Sequence, residues 1–138
     1  ELCLSMMIQI AFENEPRVNV LDNTCKHVPY VFGKNFILNT HGDRLNDQKK
    51  ADLAVAMHRD LHGAAAFTHV RCGHLHHSSM KELSGCFVEV FQALPTPDAW
   101  HTESGYVSSD QSVNLLTYHK AGGIVGRMTE FPRIFMGE

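Results

Sequence analysis

The sequence predicts one α/β domain, and three observations support that prediction. A helical apolar stripe opens the chain, β-prone runs follow it, and a second helical stripe lies between two apolar runs that have the character of strands. At 138 residues, of which 43% are apolar, the chain has the length and composition of a single globular domain. No internal repeat or linker divides the sequence, so residues 1–138 are assigned to one domain.

The first helix is predicted from the spacing of apolar side chains near the start of the chain. These side chains are Leu4, Met7, Ile8, Ala11 and Phe12. Their spacing of three and four residues indicates a helix with one buried face. Pro16 prevents continuation, so the helix should end near Asn14.

Three β-prone runs come next, at Val18–Leu21, His27–Phe32 and Asn35–Thr40. The dipeptide Gly33-Lys34 separates the last two runs and suits a two-residue hairpin turn. The third run leads directly into His41 and Gly42. We therefore expect a hairpin whose second strand ends at a histidine.

A second helix and two further strands are predicted from the middle of the chain. Asp47 stands where a helix N-cap is expected, and helical spacing then continues to Gly63, a natural C-terminal stop. The stretch Ala65–Cys72 is predicted to be a buried strand, and Cys86–Phe91 alternates apolar and polar residues as a half-buried strand does.

The last third of the chain is predicted to contain a loop and a hairpin. A Pro-bounded loop spans Leu94–Tyr106. Beyond it, Val113–His119 should pair with Ile124–Thr129 across the turn Ala121-Gly122-Gly123.

Composition excludes several classes of protein. The net charge of −3 gives no overall positive field for nucleic acid, so any such contact must be local. The longest apolar stretch, around Met6–Phe12, is shorter than the roughly 18 residues of a membrane-spanning helix. The four cysteines form no C-x-x-C pair, which favours reduced thiols and a cytoplasmic location.

Histidine is the outstanding residue type, because the chain contains ten of them. Two clusters, around His41 and around His74-Leu75-His76, each follow an apolar strand and stand beside a glycine. Histidine is the commonest metal ligand, and strand ends are rigid positions for ligands, so the two clusters predict a metal site. The alternative is that residues 74–77 form a polar, solvated turn.

The other histidines and the cysteines are interpreted as structural. His58 and His62 lie four residues apart on the second helix, but they lack the H-E-x-x-H pattern and are expected at the surface. The histidines within the predicted strands are His27, His69 and His119. Cys72 and Cys86 lie inside strands, in no setting that would activate a thiol.

At the level of motifs, the chain resembles the C-terminal half of phage-type calcineurin-like metallophosphoesterases, which are related to DNA-repair exonucleases. The matching motifs, in order, are N-E-P-R-V at 14–18, F-G-K at 32–34, T-H-G-D at 40–43, G-H-L-H-H at 73–77, V-E-V-F at 88–91, P-D-A-W-H at 97–101 and S-G-Y at 104–106. Their order and spacing are more specific than any one of them. The fold that this implies is the C-terminal half of the metallophosphoesterase β-sandwich, flanked by helices.

The resemblance also implies a set of metal ligands. His41 and His74 would bind one metal ion and His76 a second, while His77 has no assigned role. The family's earlier motifs, D-x-H, G-D-x-x-D and G-N-H-D/E, are not found ahead of His41. We therefore expect a domain truncated at its N-terminus, whose missing half completes a site for two divalent ions of manganese, iron or zinc. This chain alone should hold at most one ion and be inactive.

The function that the resemblance implies is metal-dependent hydrolysis of phosphate esters, as a phosphodiesterase or nuclease acting on nucleic acid or nucleotides. A small-molecule phosphomonoesterase is the enzymatic alternative, and a non-catalytic metal-binding or structural phage protein is the other. The expected location is the cytoplasm, and if a phage encodes the protein, it is the cytoplasm of the host cell. No membrane partner is expected.

The loop near residue 100 is a second candidate for function. Its polar and aromatic side chains are Asp98, Trp100, His101 and Tyr106. In the functional interpretation Trp100 or Tyr106 stacks on a base, Asp98 helps to bind substrate, and His101 donates a proton or contacts phosphate. In the alternative interpretation the loop only packs over a sheet edge.

Overall fold

The structure, a computed structural model, describes residues 2–21, 25–43, 45–74, 77–92 and 111–131. Their order is α1 (Leu2–Ala11), β1 (His27–Phe32), β2 (Asn35–Thr40), α2 (Asp47–Asp52), a π-helical segment (Leu53–Met57), α3 (Arg59–Ala64), β3 (Phe67–Cys72), β4 (Ser79–Leu83), β5 (Cys86–Val90), β6 (Val113–His119) and β7 (Gly123–Glu130). This is a mixed α/β fold, as the sequence predicted. No helix in the described ranges is long and apolar enough to cross a membrane.

The larger sheet has five strands in the order β1-β2-β3-β5-β4. Strands β2, β3 and β5 run parallel, whereas β1 and β4 are antiparallel to their neighbours. The helical segment between Asp47 and Ala64 connects β2 to β3, which is the crossover that two parallel strands require. The histidine clusters therefore follow two adjacent strands at the same edge of the sheet.

The core lies between the sheet and this crossover helix. It consists of Phe36, Leu38, Ala51, Ala54, Val70, Cys86 and Val88, all buried. The strand residues in that set alternate with residues that point to the opposite face, as the pleat requires. That opposite face carries His69, Arg71 and Glu89, and the hairpin β6–β7 covers it.

Both hairpins predicted from glycine-containing turns are confirmed. Phe32 pairs with Asn35 across Gly33-Lys34, and His119 pairs with Gly123. Gly33 has a φ of 60°, the left-handed value that such a turn needs and that glycine adopts without strain. Lys34 N donates a hydrogen bond of 2.7 Å to Lys120 O, which ties the turns of the two hairpins together.

Replacing Gly33 with alanine should destabilise the protein. A Cβ at this position would lie 2.1 Å from Lys120 O, on a backbone whose φ is already positive. We expect the free energy of unfolding, measured by urea denaturation, to fall by about 2 kcal/mol or more. Gly63→Ala is the matched control, because Gly63 lies in α3 and a Cβ added there would have no atom within 4 Å. That substitution should be neutral or stabilising, and equal losses in the two variants would contradict the prediction.

Three local predictions are wrong. The helix α1 forms, but its apolar stripe is not buried: Leu4 is 62% exposed and Met7 is 67% exposed. The run Val18–Leu21 forms no strand, because Val18 N donates instead to Glu15 O in a turn around Pro16. The helix N-cap is Asn46 and not Asp47, because the Asn46 side chain accepts the hydrogen bond from Lys49 N. The Asp47 carboxylate instead accepts hydrogen bonds from two lysine side chains, those of Lys50 and Lys81.

The strand β4 also differs from expectation. The antiparallel strand β4 at Ser79–Leu83 was not predicted, because its sequence has little apolar alternation. It covers the outer edge of β5, and in β5 both Val88 and Glu89 are buried. The strand predicted at Cys86–Phe91 is therefore confirmed as β5, and both of its faces are covered. The predicted loop at Leu94–Tyr106 lies outside the described residues.

Candidate metal centre

His41 and His74 lie side by side just beyond the carboxyl ends of β2 and β3. The parallel register pairs Thr40 with Cys72, so each histidine follows its strand by one or two residues. The centroids of the two imidazole rings are 4.5 Å apart, and the ring planes are inclined by 53°. Both side chains are exposed. The arrangement presents two nitrogen ligands at one accessible edge of the sheet.

The backbone at both histidines has an unusual conformation. Gly42, next to His41, has a φ of 85°, and a Cβ there would lie 3.0 Å from the Cβ of Cys72. His74 has a φ of 70°, which is uncommon for a residue with a side chain and costs about 1 kcal/mol or more. Strained residues of this kind occur often at functional sites, and here the strained residue has its ring next to that of His41.

A cavity of about 330 Å³ lies at the His41 end of β2. His41 and Asp43 line it together with Lys26 and Thr40. Thr40 is fixed there, because its hydroxyl oxygen lies 3.0 Å from Nδ1 of His27. The cavity thus combines an imidazole, a carboxylate and an ammonium group.

The structure describes only some of the predicted site residues. It brings His41 and His74 together, whereas His76, the third predicted ligand, lies outside the described residues. The predicted loop residues Asp98, Trp100, His101 and Tyr106 also lie outside them. Among the residues that are described, no three His, Cys, Asp or Glu side chains form a group that could hold a metal ion. His77 is exposed. The assignment of the ligands therefore stays a prediction.

A buried lysine beneath the histidines was missed in the sequence. Lys50 is fully buried, and its Nζ lies 3.1 Å from Oδ1 of Asp47. Lys81 Nζ lies 2.7 Å from the other oxygen of Asp47, and this hydrogen bond is the main reason why the pKa of Asp47 is lowered. Lys50 also packs below Gly42, and burial raises the pKa of the nearby Cys72 thiol. The pair Lys50–Asp47 thus supports the turn that carries His41.

A second buried ionic group joins the two sheets and was also missed. Glu89 accepts hydrogen bonds from Arg71 on β3 and from Arg127 on β7, the latter through Nη2 at 2.9 Å and through Nη1. Arg71 also donates from Nε and Nη2 to the hydroxyl oxygen of Tyr118, at 3.1 and 2.9 Å. The group holds the hairpin β6–β7 against the five-stranded sheet.

His69 is the most strongly perturbed histidine with a described environment. It stacks on Phe87 and meets the edge of Tyr118, with ring centroids 5.6 and 5.2 Å away. Burial, followed by the charge of Arg71, lowers its pKa from 6.5 to about 4. The structural role predicted for His69 agrees with this packing.

Acid should weaken the folded state through His69. Below pH 6.5 the unfolded chain binds a proton that the folded His69 does not accept until about pH 4, so stability is lost across that interval. We expect His69→Phe to reduce this loss by about 1–3 kcal/mol in urea denaturation at pH 7, 6, 5 and 4. Above pH 7 the two proteins should show the same pH dependence. An unchanged acid slope in the variant would contradict the assignment.

His58 and His62 have structural partners. His58 and His62 were expected at the surface, but both are half-buried. The His58 ring packs edge-on against Phe36, and His62 Nδ1 lies 2.9 Å from the hydroxyl oxygen of Thr68. The reason is that the crossover helix lies against the sheet at these positions.

No family model, curated protein or solved structure gives a significant match to this chain.

Proposed function

We propose that this chain is part of a metal-dependent phosphoesterase and supplies histidine ligands to its divalent metal ions. The observation that supports the proposal best is the pair His41–His74, whose ring centroids are 4.5 Å apart at the ends of adjacent parallel strands. Two imidazoles at this separation can turn their nitrogens to one ion. His76, two residues beyond His74, is the third proposed ligand.

The donor set suits an ion of the first transition series. Neutral imidazole nitrogens bind zinc, iron and manganese, and zinc binds more tightly than the other two. Asp43, which lines the cavity beside His41, would add negative charge near such an ion. Three imidazoles without a bridging carboxylate do not balance the four positive charges of two divalent ions. This chain should therefore hold one ion at most.

The chemistry follows from where the side chains stand. When bound, divalent ions supply charge that stabilises a phosphoryl transition state and make a nearby water more acidic. In this chain His41 and His74 would fix the position of the ion. The Lys50–Asp47 pair holds the turn behind them. The second ion would need carboxylate ligands from an additional N-terminal half of the same domain.

The same proposal includes a fold, the C-terminal half of the metallophosphoesterase β-sandwich. A mixed sheet that faces a β-hairpin, with a helix on its other side, is compatible with the C-terminal half of the metallophosphoesterase β-sandwich. The proposed substrate is a phosphodiester in nucleic acid or a nucleotide. A cytoplasmic location is consistent with free thiols at all four cysteines.

The test is hydrolysis by the longest natural gene product that contains these residues. With manganese or zinc, we expect it to hydrolyse bis-p-nitrophenyl phosphate faster than p-nitrophenyl phosphate, and we expect His74→Ala to abolish this turnover. The isolated 138 residues should give no turnover. Faster hydrolysis of the monoester would favour the phosphomonoesterase. No metal-dependent turnover of either compound would overturn the proposal and favour a structural or metal-binding protein.

A further inference from the structure

A crevice of about 530 Å³ opens between the two sheets at the carboxyl ends of β2 and β3. Residues of β2 and β3 form one wall and residues of β6 form the other. Its volume is within the range of small-molecule sites, and crevices beyond the carboxyl ends of parallel strands are common positions for ligands. His41 and His74, the predicted metal ligands that the structure describes, are not among the residues that line it.

The described lining of the crevice offers no free charge to a ligand. Arg71 is the one charged residue among the described residues that line it, and its side chain is only 8% exposed. Its guanidinium is already engaged with Glu89 and with the hydroxyl of Tyr118. A phosphate group would find no uncommitted cation here, so the lining favours a neutral ligand.

Two polar groups in the crevice have unused hydrogen-bonding capacity. The exposed carboxamide of Asn39 has no hydrogen-bond partner among the residues that the structure describes. The hydroxyl oxygen of Tyr118 accepts two hydrogen bonds from Arg71, so its own proton remains to be donated. Together they present a donor and acceptor pair and one further donor.

The rest of the lining is largely apolar. Ile37 is buried, and Phe91 and Leu116 are half-buried. A ligand that matches these walls has flat apolar faces and an edge with hydrogen-bond donors and acceptors. A nucleobase has both, and the carboxamide of asparagine forms paired hydrogen bonds with a base edge.

We propose that this crevice binds the base of a nucleotide. The inference deepens the proposed function, because it identifies the organic part of the substrate. Asn39 and Thr40 line both the crevice and the cavity that contains His41. A base held in the crevice would therefore place its attached phosphate next to the histidine pair. The source of the base is either a free nucleotide or a nucleic-acid strand.

The test is calorimetric titration of the full chain, in EDTA, with adenosine, AMP and ribose 5-phosphate. We expect adenosine and AMP to bind with similar affinity and ribose 5-phosphate to bind at least about tenfold more weakly. Asn39→Ala should weaken adenosine binding about tenfold, because the base would lose its hydrogen bonds to the carboxamide. The variant should still fold, because the carboxamide makes no contact needed for folding. Ribose 5-phosphate binding as tightly as AMP, or an unchanged affinity in Asn39→Ala, would overturn the proposal.

A matched pair of variants tests the location. Leu116→Trp should fill the crevice and abolish adenosine binding, whereas Leu115→Trp, at a neighbouring position that is 58% exposed, should not. If a single-stranded oligonucleotide binds more tightly than AMP, the source of the base is nucleic acid. If the two bind with equal affinity, the source is a free nucleotide. Adenosine binding by a chain that binds no zinc would refute the proposed function alone, and zinc binding without adenosine binding would refute this inference alone.

Discussion

Glu89→Gln should lower the free energy of unfolding by about 3–5 kcal/mol in urea denaturation at pH 7. The carboxylate of Glu89 is 4% exposed and is the shared partner of Arg71 and Arg127. Glutamine has the same shape but no negative charge, so the guanidinium of Arg71 would stay buried without compensation. Removing one partner from a buried ionic group lowers the free energy of unfolding by far more than the intact group adds to it. The reason is that the remaining charge stays buried away from water without a partner.

The control for this prediction is Glu82→Gln on the exposed strand β4, which makes the same chemical change outside the buried group. Its effect should stay within about 0.5 kcal/mol. Hydrogen exchange of β6 and β7 should also accelerate in Glu89→Gln, because that hairpin loses its ionic attachment to the larger sheet. A loss below about 1 kcal/mol, or equal losses in the two variants, would contradict the role assigned to Glu89.

The sequence predicted the secondary-structure elements that depend on residues close together in the chain. The hairpin at Gly33-Lys34 follows from a two-residue turn, β2 follows from the β-prone run Asn35–Thr40, and β3 follows from the stretch Ala65–Cys72 that was predicted to be a buried strand. The wrong predictions concern burial. The stripe on α1 has helical period, but a period does not say which element will cover it, and within the described residues Met7 and Leu4 stay exposed.

The buried charges could not be predicted because their partners are distant in the sequence. Glu89 meets Arg127 across 38 residues, and Arg71 meets Tyr118 across 47 residues. Lys50 is buried beside Asp47, which is close in the sequence but does not have the capping role expected of it. A charged residue in a sequence is ordinarily read as exposed, so nothing in these segments signals the interior.

The candidate site was predictable to the extent that strand ends bring residues together. His41 and His74 each follow an apolar run, and once β2 and β3 are adjacent and parallel their ends meet. The left-handed backbone of His74 was not predictable, because glycine at position 73 would have been the natural residue to adopt it.

His74→Ala and His41→Ala should each weaken zinc binding by at least about 100-fold. Loss of a residue that only orients a metal ligand costs about 10–100-fold in affinity, so loss of a ligand itself should cost no less.

Equilibrium dialysis of the chain against zinc at pH 7.5, followed by metal analysis, tests the metal centre most directly. The expected result is one zinc ion per chain, with affinity lost in His41→Ala and in His74→Ala. His119→Ala is the control, since His119 is exposed beside the opposite end of β2, where Asn35 donates to its carbonyl oxygen, and this variant should bind zinc as the natural chain does. No bound zinc, or equal affinity in all the variants, would contradict the assignment of His41 and His74 as metal ligands.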